Sequence, residues 1–125
     1  MPRNYVALVG ELPSGTPAGD YQFPGVYEEQ SGPPYNGRPC YRKVSDDNLM
    51  AWSCKDEGTD MWMFGNAAYV GMPFGGIYLY SSDPLEQASG TWKMAAGNVE
   101  APDIRVLCEA APDVQETGGR TREQK

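Results

Sequence analysis

The chain contains no histidine. That absence excludes a Ser-His-Asp triad, a Cys-His nucleophile pair and every His-ligated metal site. Cysteine is sparse: Cys40, Cys54 and Cys108 are the only three, and no two of them stand in a CxxC pair. An odd count without such a pair points to structural thiols that pack as small apolar residues. Cys40 and Cys54 flank a turn near Asp46-Asp47, so they can also face each other across a hairpin. Basic residues are outnumbered, 10 Lys+Arg against 17 Asp+Glu, for a net charge of -7. Nucleic-acid binding depends on Lys and Arg neutralising phosphates, so no nucleic-acid partner is expected. Long apolar runs are missing too. The run 5–9 (YVALV) is too short for a signal-peptide core, and nothing approaches the roughly 18 apolar residues of a membrane span. The expectation is an intracellular, soluble protein without a membrane span. No sustained apolar pattern at helical spacing occurs either.

What is present is turn chemistry between short strands. The 15 glycines and 11 prolines are about a fifth of 125 residues and show no triplet period. Apolar or aromatic runs lie near 5–9, 25–29, 38–44, 49–54, 61–65, 77–81, 91–95 and 104–109. Their average spacing of about a dozen residues predicts an all-β fold, a single small barrel or compact sandwich of about eight mostly antiparallel strands. The run 5–9 is expected to pair with the last strand. Asn36-Gly37 accepts positive φ, and the segments 45–48 and 56–60 read as hairpin loops. At most one short helical turn is expected, at 83–88, with Asp83 as cap and Pro84 at the first helical position. The domain is expected to span 4–109. Residues 110–125 hold one aliphatic residue beyond alanine, Val114, and no aromatic, which predicts a flexible polar tail. From Glu109 onward four acidic groups (Glu109, Asp113, Glu116, Glu123) nearly cancel three basic ones (Arg120, Arg122, Lys125), so the acidity belongs to the domain.

One stretch carries a family-like rhythm. It opens with Gly25-Val26-Tyr27-Glu28 and continues with Asn36-Gly37-Arg38-Pro39-Cys40-Tyr41. Trp52, Trp62, Pro84, Trp92 and Val106 follow in order. This resembles a small, poorly characterised β-rich domain of unicellular eukaryotes and marine invertebrates, over about 84 residues. The resemblance implies a β fold and transfers no activity and no catalytic residue. It departs at Leu49-Met50-Ala51-Trp52, where that family tends to carry successive tyrosines.

Three constellations can carry chemistry. In Met61-Trp62-Met63-Phe64 both alternate faces are apolar, and in Ile77-Tyr78-Leu79-Tyr80 one face is aliphatic and the other tyrosine. A strand apolar on both faces is a central buried strand, or it offers one face as a contact surface. On the second reading Trp52, Trp62, Tyr78, Tyr80 and Trp92 form an aromatic patch that stacks on sugars or anchors a protein partner. The acidic loops hold Asp46, Asp47, Asp56, Glu57 and Asp60, oxygen donors of the kind calcium takes. Their order does not fit a helix-loop-helix calcium site, so solvated turns are expected and no metal or other cofactor is implied. Third, Gly10 to Thr16 mimics a phosphate loop but lacks its lysine, and Glu11 would repel phosphate. Cys40 lies between Arg38 and Arg42, which makes it the candidate reactive thiol, although a structural role is expected. The function expected is a non-catalytic binding or protein-interaction module using aromatic strand faces. A small carboxylate-based hydrolase and a structural subunit of a larger assembly are the alternatives.

Overall fold

A computed structural model describes residues 4–109, without the side chain of Glu109. The expected tail, 110–125, lies outside the described residues. Nine strands form one sheet: β1 (Tyr5–Val9), β2 (Gly25–Glu29), β3 (Tyr41–Lys43), β4 (Leu49–Asp56), β5 (Thr59–Asn66), β6 (Ile77–Tyr80), β7 (Trp92–Met94), β8 (Val99–Ala101) and β9 (Arg105–Glu109). Their order is β8-β7-β6-β5-β4-β3-β2-β1-β9. Every pairing is antiparallel, so the chain runs as a meander until β9 returns beside β1, with Ala7 opposite Leu107. The sheet curls into a half-barrel, and the sandwich alternative falls because no second sheet exists among the described residues.

The turns follow from residues that tolerate positive φ. Glu57 and Gly58 have φ of 51° and 86° between the paired Asp56 and Thr59. Two positive values in a two-residue loop match the twist of the flanking strands. Asn36 and Gly37, at 54° and 76°, make the same kind of turn inside the Tyr35–Arg38 bridge.

Alternation then sorts the side chains. Val6, Leu8, Tyr27, Tyr41, Ala51, Trp62, Phe64, Ile77, Leu79, Trp92, Met94 and Val106 fill the concave side, completed by Phe23, Leu85 and Ala88 from the loops. Rings meet edge to face there: Tyr27–Phe64 at 5.0 Å, Phe64–Trp92 at 5.4 Å and Tyr41–Trp62 at 6.3 Å between centroids. Such pairs contribute roughly 0.5–1.5 kcal/mol each beyond burial. Burial pushes the Tyr27 and Tyr41 phenols far above the ordinary range, so both stay neutral donors. Tyr27 uses its hydroxyl to donate to the Phe23 carbonyl at 2.7 Å.

The convex side of β4, β5 and β6 is also covered. Met50, Trp52, Cys54, Met61, Met63 and Tyr78 form a second cluster with Cys40, packed under Tyr35, Ala67, Val70 and Ala95. The segment after β5 reaches this face because Gly65 has no side chain. A β-carbon there would stand 2.8 Å from the Gly75 Cα and 3.0 Å from the Trp52 ring.

The nine strands agree with the expected number of about eight, the additional one being β8 after the Gly97-Asn98 turn. Two expectations need correction. The expected strand at 38–44 is ordered as strand only over Tyr41–Lys43. Three 3-10 turns occur, Ala18–Gln22, Ala67–Tyr69 and Leu85–Gln87, where at most one helical turn was expected. Asp83 does not cap the last of them, for Pro84 holds the cap position and makes no side-chain bond. The Asp83 carbonyl accepts the Trp62 indole N–H instead. Among the described residues no helix is long and apolar enough to cross a membrane.

Candidate functional site

The five aromatic residues of the expected patch do not share a surface. Trp62 and Trp92, each 1% exposed, belong to the concave core. Trp52 lies on the convex side but is fully covered, and its indole N–H donates to the Met72 carbonyl at 2.8 Å. A large ring with its one polar group satisfied by backbone has no need of solvent. Tyr78 and Tyr80 are the pair that stays together on the convex side, with rings nearly perpendicular and centroids 5.6 Å apart. Tyr80 is 47% exposed and Tyr78 lies beneath it.

These two tyrosines line an open cleft of about 810 Å³. That volume lies within the range of ordinary ligand sites. Met61 and Met63 of β5 make its floor with Tyr78. Tyr69 and Phe74 stand on one rim, 49% and 61% exposed, with their rings in edge contact. Phe23 and the Ala18–Gln22 turn close the far end, where Gly76 leaves room for the Phe23 ring. The tyrosine register on β6 fixes the long axis. From Tyr80 to Gly76 the strand path spans roughly 13 Å.

The polar groups are few and mostly engaged. Tyr80 donates its hydroxyl to Asp56 Oδ2 at 2.6 Å. That bond, ahead of any burial, pushes the phenol up to about 12, so Tyr80 holds its proton through the physiological range. Tyr78 donates to Asn98 Oδ1 at 2.7 Å. Two carboxylates line the cleft, Asp56 and Asp20, and no Lys or Arg does. Burial raises the Asp20 carboxyl above its ordinary value. Asp56 sits at the Tyr80 end, while Asp20 lies three residues from Phe23 at the Gly76 end.

Two further acidic loop groups, Asp46 and Asp60, serve the fold. Asp46 Oδ1 accepts from the Asn48 N–H. Asp60 accepts from Asn36 and Lys55, at 3.0 and 2.7 Å, and those bonds hold its carboxyl below the usual range. Among the described residues no three His, Cys, Asp or Glu side chains gather as a metal site.

The three thiols are unpaired. In the β3–β4 register Tyr41 faces Ala51, which offsets Cys40 from Cys54 by two positions. Burial pushes the Cys40 thiol up despite the opposing charge of Arg42, and burial with the Asp56 charge takes Cys54 to about 11. Neither is an activated nucleophile, because the thiolate is the reactive form. Iodoacetamide at about pH 8 is expected to label Cys108, which is exposed, and to leave Cys40 and Cys54 unlabelled until the domain unfolds. Peptide mass mapping checks this, and rapid native labelling of Cys40 would refute its burial.

Of the cleft, sequence reasoning found Tyr78 and Tyr80 and missed Tyr69, Phe74 and Asn98. The usable signal was β5 itself, apolar on both faces. Comparison of the chain with protein-family models, curated proteins and solved structures finds no match.

Proposed function

We propose that this protein is a non-catalytic binding module that receives a segment of a protein partner, or a carbohydrate, in the convex cleft. The carrying observation is the exposure of Tyr69, Phe74 and Tyr80 around one methionine-floored groove. Contiguous exposed aromatic surface marks an interaction site, and methionine floors adapt to irregular apolar ligands. The separated carboxylates give a hydrolase less support. The structural-subunit reading rests on the edges of β8 and β9, which expose only Val99 and Leu107 as large apolar side chains.

Selection of a random peptide library on the immobilised protein tests the reading. Enriched peptides are expected to bind Phe74→Ser and Tyr80→Ala variants about tenfold or more weakly, the loss typical of an interface hot spot. Both residues are exposed, so the variants should keep the fold, checked by circular dichroism. Peptides that bind both variants as tightly as the parent would remove the cleft from consideration.

A further inference from the structure

The charge in the cleft is one-sided. Its lining holds two carboxylates, several aromatic rings and no basic side chain. The whole chain carries -7. Asp56 spends one oxygen on the Tyr80 hydroxyl. Among the described residues its other oxygen has no hydrogen-bond donor, and no Lys or Arg pairs with it. A phenol that donates to a carboxylate gains electron density in its ring. The exposed face of Tyr80 beside a carboxylate is thus a double attractor for an organic cation, through ring quadrupole and through charge. The perpendicular Tyr78 ring and Met61 offer an apolar wall for an aliphatic stem.

From this charge complementarity we infer that the Tyr80–Asp56 end of the cleft takes the guanidinium or ammonium group of an Arg or Lys side chain, presented by an extended segment of a partner polypeptide. The inference rests on the binding reading above and narrows it to one ligand chemistry. A polypeptide suits the groove better than a free amine, because the cleft is open to solvent and an enclosed small-molecule site would bury most of its ligand. The rim residues Tyr69 and Phe74 continue the contact beyond the charged end.

The test uses the full 125-residue chain, labelled with ¹⁵N and with ¹³C-methyl methionine. It is titrated with the acetylated, amidated tripeptide Leu-Arg-Leu and with the same peptide carrying citrulline, the neutral isostere of arginine. The arginine peptide should shift the Met61 and Met63 methyls and the amides of β6, with citrulline about fivefold weaker. Asp56→Asn should shrink that difference, and Tyr80→Leu should weaken the arginine peptide. Equal binding of both peptides overturns the cation preference and leaves the cleft as a binding site. No shift from either, or shifts confined to other surfaces, also overturns the inference, while the library selection judges the cleft by itself. Methylguanidinium binding as tightly as the peptide would overturn the polypeptide occupant.

Discussion

Trp62→Ala is expected to destabilise the protein by about 3–5 kcal/mol, the largest effect of any single truncation here. The position is 1% exposed and lies on β5, paired with Ser53 of β4 on one side and Leu79 of β6 on the other. Removing the indole leaves a cavity in the concave core and deletes the edge-to-face contact with Tyr41. It also removes the donor that reaches the Asp83 carbonyl at 2.8 Å, which ties the segment after β6 to the core. A domain of this size has roughly 5–15 kcal/mol in total, so the variant approaches the unfolding threshold. Trp62→Phe keeps most of the volume and loses the indole hydrogen bond, for about 1–2 kcal/mol. Tyr80→Ala, on the exposed convex rim, should cost at most about 1 kcal/mol. Urea unfolding of the three variants gives the ranking. Equal losses for Trp62→Ala and Tyr80→Ala would mean that the assignment of concave and convex faces is wrong.

Gly10→Ala is the second large effect, at about 2–4 kcal/mol. Gly10 follows β1 with φ of +113°, in a region that an L side chain rarely adopts. A β-carbon there would stand 2.1 Å from the Asp103 carbonyl oxygen, which is backbone and cannot swing aside. Asp103 lies in the connection from β8 to β9, and its carboxylate accepts the Glu11 N–H at 2.6 Å. The substitution therefore pries the end of β1 from the link that brings β9 alongside it. Gly15→Ala is the matched control. Its φ is +86°, yet nothing lies within 4 Å of the added carbon. It should cost only the backbone term, about 1 kcal/mol. Equal urea midpoints for the two variants would show that the Asp103 contact carries no weight. The glycine spacing that mimicked a phosphate loop thus has a steric use.

How far the sequence reached depends on which interactions are local. The Asn36-Gly37 turn was legible because a two-residue loop places its whole requirement on two adjacent φ angles, whereas the next hairpin was read only as a connection over 56–60 and the strand pairing narrows it to Glu57-Gly58. The β7–β8 hairpin was not, because Val99-Glu100-Ala101 has too little apolar alternation to announce a strand. Its order comes from pairing with Trp92–Met94.

The candidate site divides the same way. Alternation placed Trp62 and Phe64 on one face of β5 and Met61 and Met63 on the other, and Tyr78 with Tyr80 on β6. The structure keeps both groupings. Period two says which residues share a face. It does not say which face a closing sheet turns inward, nor which part of the outer face a loop will cover.

By itself, then, the sequence determined the all-β class, most strand positions, the Asn36-Gly37 turn and the histidine-free chemistry. Each follows from residue type and from neighbours along the chain. Only the tertiary structure decided that the tryptophans are core, that Phe74 and Tyr69 rim a cleft, and that Asp56 bonds Tyr80. Those outcomes depend on the curl of the sheet and on the segment 67–76 crossing Gly65, contacts between residues far apart in the chain whose burial no local pattern encodes.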